Sequence, residues 1–169
     1  MKTLEQERAK LALKVVEEVE KKKKDKKLRE KYASRVRKLP SMILSNGLLP
    51  TLAFYLSKAE LEAENKILSA LNNYKSSKKE KLGNSEEASY LKVYAHILYW
   101  LKERELKEKK EILLDELKPK NNVTQSADAL KELLEKDYSD VRTYLIATEE
   151  ALRLLNWLKR LAEALLKEE

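Results

Sequence analysis

Residues 40–57, PSMILSNGLLPTLAFYLS, carry no charge in a 169-residue chain of which 38% is Asp, Glu, Lys or Arg. Such a run is expected to be buried, and how it is broken decides the fold. It holds two of the three prolines, one of the two glycines and the only phenylalanine. Its length reaches the lower limit of a membrane-spanning helix. Ser45, Asn46, Gly47, Pro50 and Thr51 interrupt it in the middle, however, which suits two short helices meeting at a turn inside a water-soluble core. Leu39-Pro40 is expected to end the preceding helix, because the residue before proline avoids the helical region. Asn46-Gly47 reads as the next stop, with Gly47 at positive φ, and Pro50 opens a third segment carrying Leu52, Phe54, Tyr55 and Leu56.

Towards the N-terminus, Leu4, Leu11, Val15 and Val19 fall on one helical face, and the stripe resumes at Leu28, Tyr32 and Val36. Between them stands KKKKDKK at residues 21–27. That pattern predicts one long helix, or two nearly collinear ones, with a solvated middle and both ends docked on the core. Towards the C-terminus, Leu61, Ile67, Leu68, Leu71 and Tyr74 extend a helical stripe, and KSSKKEKLGNS at residues 75–85 is a loop. Asn84 and Glu87 then have capping-box spacing ahead of Leu91, Tyr94, Ile97, Leu98 and Leu101. A second loop is expected at residues 118–125, followed by a short helix around Leu130, Leu133 and Leu134 that breaks at Asp137-Tyr138-Ser139. In the last helix Val141, Leu145, Thr148, Leu152 and Leu155 form one seam facing the core, and Leu154, Leu158, Leu161 and Leu165 form another beside it. That is more apolar surface than one seam can bury.

Two glycines and three prolines are too few to punctuate a sheet protein of this length. The fold class is therefore all-α: a single-domain helical bundle over residues 1–169, with about six or seven helices and a long basic N-terminal helix. No signal peptide is read at the N-terminus, where charges interleave with apolar residues, so a cytoplasmic location is expected. The net charge of +7 is unevenly spread. Residues 1–38 contain fifteen Lys or Arg and seven Asp or Glu, a net of +8, whereas the remainder has 21 and 22, a net of −1. Such asymmetry points to a polyanion partner, the competing use being solubilising surface.

Little in the chain supports catalysis. Without cysteine, and with His96 the only histidine, no thiolate or imidazole metal site can form, and no metal or other cofactor is expected. Two isolated glycines exclude a GxGxxG or Walker loop. The pairs Glu86/Glu87 and Glu149/Glu150 point about 100° apart on a helix and read as surface or first-turn charges. His96 reads as a structural histidine. Tyr90, Tyr94, Tyr99, Trp100 and Trp157 are candidate stacking surfaces for bases, but their place beside leucines favours core packing. Arg29, Lys31, Arg35, Arg37 and Lys38, around Tyr32, are the stronger binding candidates, spaced to follow a phosphate backbone. Salt bridges to Glu30 or to other helices are their alternative use.

Residues 32–58, YASRVRKLPSMILSNGLLPTLAFYLSK, together with YLIATEEALRLLNWLKRLAEAL at residues 144–165, resemble the small helical subunit of the Cmr complex, the type III-B CRISPR RNA-guided effector. The resemblance implies a non-catalytic subunit of a ribonucleoprotein, present in several copies and stacked beside a backbone subunit along the guide RNA in antiviral defence. Target cleavage would belong to other subunits. By similarity, the basic residues of the Tyr32 helix, with Lys159 and Arg160 of the WLKR element, would face guide or target RNA. Other Cmr proteins and the two RNAs are the implied partners, with no membrane. A helical adaptor that binds only proteins is the alternative reading.

Overall fold

The computed structural model describes residues 3–58, 85–108 and 141–167, with side chains of the middle segment described through Leu101. Among the described residues there are five helices and no strand: α1 Leu4–Glu20, α2 Lys26–Asn46, α3 Leu48–Lys58, α4 Ser85–Glu108 and α5 Val141–Leu165. The expected all-α class is observed. The stripe and loops read between residues 61 and 84, Asn84 as a cap, and the loop and short helix between residues 118 and 139 lie outside the described residues.

The basic N-terminal region is two helices, broken at residues 21–25. Thr3 starts α1 with a reciprocal cap, accepting from Gln6 N–H at 3.3 Å while its own N–H donates to Gln6 Oε1 at 2.9 Å. Asp25 caps α2 by accepting from Leu28 N–H at 2.9 Å. The two stripes read from the sequence are then buried where predicted: Leu11, Val15 and Val19 on α1, and Leu28, Tyr32 and Val36 on α2. α1 packs on α5, α2 on both α4 and α5, and α3 on α2 and α4, around one shared core.

Pro40 does not end α2. The helix runs through it to Asn46, so Val36, Leu39 and Ile43 stay on one buried face. Proline removes one intrahelical hydrogen bond and crowds the preceding turn. Burial of Leu39 and Ile43 on either side outweighs that loss, at about 1.5–3 kcal/mol for each large apolar side chain removed from water. The true stop is Gly47, whose N–H donates to the Ile43 carbonyl at 2.8 Å. Its φ of 92° is positive as expected, and its ψ of 160° puts it in an extended region that essentially only glycine occupies. α3 begins immediately at Leu48, two residues before Pro50, and Thr51 closes the junction by donating from N–H and Oγ1 to the Gly47 carbonyl. The uncharged run is not wholly covered either: Leu44 is 74% and Phe54 41% exposed, because each helix of the pair keeps an outer face.

α5 buries Ala147, Ala151, Leu154, Leu155, Leu158 and Ala162. The seam led by Val141 and Leu145 is thus not the core seam at its N-terminal end, where both residues and Ile146 are exposed. Glu150 corrects a second reading. It is buried, not a surface charge, and receives a two-pronged hydrogen bond from buried Arg8, Nε to Oε2 at 3.0 Å and Nη2 to Oε1 at 2.7 Å. The indole N–H of buried Trp100 adds a donor at 3.2 Å. Beside it Arg8 also donates to Glu5 at 2.6 Å, and the Trp157 indole N–H reaches the same Glu5 carboxylate. Those two donors, Trp157 first, hold the Glu5 carboxyl below its usual range.

His96 lies in the core as a structural residue, joined to buried Tyr32 by a 2.8 Å hydrogen bond and an edge-on ring contact. Burial, with Lys92 one turn before it on α4, pushes its pKa down to about 3, and Glu18 of α1 faces that lysine.

Two outcomes follow for stability. Gly47→Ala should cost about 1–3 kcal/mol in urea denaturation, from backbone strain. An added Cβ would also stand 2.9 Å from the Tyr144 hydroxyl, but that group is the end of a side chain, so combining Tyr144→Phe should restore little. For His96, the unfolded chain binds a proton near pH 6.5 that the folded chain refuses until about pH 3. Its contribution is complete above about pH 6.5 and falls by up to about 1.4 kcal/mol per pH unit below it. The difference in urea midpoint between neutral and mildly acidic buffer should therefore shrink in His96→Gln.

Candidate nucleic-acid interface

The core face of α2 fixes where its cations can go. With Tyr32 and Val36 at the centre of the buried face, Arg35 sits on its flank, Lys31 and Lys38 lie further round on the same side, and Arg29 and Arg37 lie on the other. The structure divides the five into different roles. Arg35 is 13% exposed and fully engaged: Nε donates to Ser89 Oγ at 2.8 Å, Nη2 donates to Glu86 Oε1 at 3.2 Å, and the guanidinium carbon stands 3.3 Å from the Tyr90 ring centre. It locks α2 onto α4. Lys31 Nζ lies 3.7 Å from the same Glu86 oxygen. Arg29 donates to the Lys22 carbonyl at 3.1 Å, which braces the turn between α1 and α2.

Arg37 and Lys38 are exposed and make no ion pair or hydrogen bond through their side chains among the described residues. On α5, Arg160 is exposed and Lys159 half-buried, one turn beyond the Trp157 contact with Glu5. No hydrogen bond or ion pair between described residues links these two to the cations of α2.

The turn at residues 21–25 adds a concentration of charge. Lys21, Lys22, Lys23, Lys24, Lys26 and Lys27 are all exposed. The one acid among them, Asp25, is engaged by hydrogen bonds from Leu28 N–H and from Ser85 Oγ at 2.8 Å, the second tying the turn to α4. The first turn of α2 contains no acidic residue, so Lys26 and Lys27 stand at the positive end of the helix dipole. Cations there oppose helix formation. Lys26 offsets part of that cost through an i,i+4 ion pair with Glu30, Nζ to Oε1 at 3.9 Å.

Of the aromatic candidates, Tyr94 and Trp100 are buried, and Tyr90, Tyr99 and Trp157 are partly buried against the core. Packing, as the sequence suggested, is their use. Phe54 of α3, four residues before Lys58, is the aromatic side chain that the fold leaves exposed among the described residues. Among the described residues no group of three or more His, Cys, Asp or Glu could hold a metal ion. No described helix is long and apolar enough to cross a membrane.

Comparison with known proteins gives the family. The family described as CRISPR-associated protein (Cas_Cmr5) matches residues 4–165. The chain is 43% identical over 143 residues to the CRISPR system CMR subunit Cmr5 of Saccharolobus solfataricus, covering 85% of this chain and 83% of that one. It is 32% identical over 166 residues to the Cmr subunit Cmr5 of Thermotoga maritima, covering 98% and 87%. Among solved structures it resembles, with a TM-score of 0.65 and 27% identity over 98% of this chain and 100% of the other, a chain of the type III-B Cmr-beta complex seen by cryo-electron microscopy bound to cognate target RNA and AMPPnP. With a helical core of buried apolar residues, a family match over residues 4–165 and these relatives, the chain belongs to the CRISPR-associated Cas_Cmr5 family.

Proposed function

We propose that this chain is a non-catalytic small subunit of a type III-B Cmr ribonucleoprotein effector, acting in antiviral defence in the cytoplasm. It assembles with the other Cmr proteins, in several copies along the guide, and contributes phosphate contacts to guide or target RNA. Family membership supports the assembly part of this reading. The exposed pair Arg37 and Lys38, which the fold leaves without ion pairs among the described residues, carries the RNA part. Lys159, Arg160 and the lysines of the α1–α2 turn extend the same chemistry, and Lys31 and Arg29 stand beside it with part of their charge engaged internally. Arg35 acts indirectly in this reading, by holding α2 against α4 so that its neighbours project outward. Contacts of this kind are independent of sequence, because pairing with the guide does the reading.

The exposed apolar residues at the start of α5, Val141, Leu145 and Ile146, suit contact with another subunit. They also fit the alternative of an adaptor that binds proteins only. Filter binding to single-stranded RNA at two salt concentrations separates the two. Arg37→Ala with Lys38→Ala should weaken binding to all sequences alike and flatten the salt slope by about 0.7 for each phosphate no longer neutralised. Stability should stay within about 0.5 kcal/mol of wild type. Arg35→Ala should instead lower stability by about 1–3 kcal/mol, since it leaves Ser89 and the Tyr90 face without their partner. Binding without salt dependence, or a loss confined to particular sequences, contradicts the phosphate assignment.

A further inference from the structure

Phosphate contacts leave Phe54 unexplained. Leu48, Leu49, Leu52 and Tyr55 of α3 are buried, yet this ring is 41% exposed. It is held in place. Phe54 meets Tyr90 nearly perpendicularly, 6.3 Å between ring centres, and Tyr90 meets Tyr55 in the same way at 5.0 Å. Arg35 closes the cluster, its guanidinium lying over Tyr90.

Basic residues lie on the exposed ring's own helix and on the neighbouring α2. Lys58 Nζ lies 5.6 Å from the Phe54 centre. On α2, Lys31 and Lys38 stand one turn either side of Arg35, on the same side of the helix. An apolar partner would gain nothing from that rim and would have to desolvate it. A nucleotide uses both parts, since a base has a π-face for the ring and its phosphate a charge for the lysines. A base paired inside a duplex is already stacked on both faces, so the ring selects single strands.

We propose that Phe54 is a stacking platform for one unpaired base of single-stranded RNA, with Lys58 and Lys38 receiving the adjoining phosphates. The inference rests on the reading that the chain contacts RNA, and it identifies the part of the nucleotide recognised. It makes two contributions separable: the lysines give a salt-dependent one, and the ring gives one that salt leaves unchanged.

The test compares the full chain with Phe54→Ala, Phe54→Leu and Phe54→Trp, using poly(U), poly(A) and a blunt RNA duplex. Phe54→Ala and Phe54→Leu should lower single-strand affinity about 5- to 150-fold, for both homopolymers, with an unchanged salt slope and unchanged duplex binding. Phe54→Trp should bind at least as well as wild type, with its added fluorescence quenched by RNA. Leucine binding as well as phenylalanine, or no quenching in Phe54→Trp, overturns the platform and leaves the phosphate reading standing. A Phe54→Ala chain that binds RNA normally but drops out of a reconstituted complex overturns it in favour of a protein contact. Wild type that binds neither homopolymer at low salt overturns both readings.

Discussion

The carboxylate of Glu150 is the constraint on which the arrangement of the helices depends. Three N–H donors converge on it, two from Arg8 and one from Trp100, and they come from two other helices, one of them at the far end of the chain. Leaving one member of a buried ion pair without its partner costs about 3–5 kcal/mol, a large part of the stability of a domain of this size. Together the two partners form a fork that fits in one orientation. α1, α4 and α5 therefore have one relative placement that satisfies all three groups, whereas leucine and alanine surfaces alone would tolerate sliding. We read the network as specifying the packing more than as adding stability, since desolvation offsets much of the attraction.

The second fixed point is the junction at Gly47. With α2 ended there and α3 starting at the next residue, the two helices share almost no linker, and the Tyr144 hydroxyl accepts from Leu49 N–H at 3.4 Å. The abrupt turn sets α3 against α4, which brings Phe54 and Tyr55 to Tyr90 and places Arg35 between three helices. The proposed RNA surface is thus a by-product of the hinge. Its cations come from α2 and α3, its aromatic ring from α3, and its brace is the contact of Arg35 with α4. The same geometry explains why Arg35, central in the sequence cluster, is the cation with least charge to offer outside.

Local electrostatics at the start of α2 run against stability, with Lys26 and Lys27 at the positive end of the helix and four lysines just before them. A fold that tolerates such a conflict has its compensation elsewhere, here in the Asp25 cap and the core burial of Val19 and Leu28 on either side.

The helical class, the buried stripes of α1 and α2, the structural use of His96 and the positive φ at Gly47 were all legible in the order of residues. Each is a local property, set by periodicity or by the conformational freedom of one residue. The position of the positive charge was legible too, and the motifs indicated the family. What depends on partners distant in the chain was settled by packing. Pro40 stays helical because the residues around it are buried on other helices. Glu150 is a core residue because Arg8, 142 positions away, meets it. Of two apolar seams on α5, the one led by Val141 and Leu145 is exposed at its start, because α1 and α2 pack on the other. Spacing shows that a face exists, but only its neighbours in space show what covers it. For the same reason neither the internal engagement of Arg35 nor the exposure of Phe54 could be read from the chain before it folds.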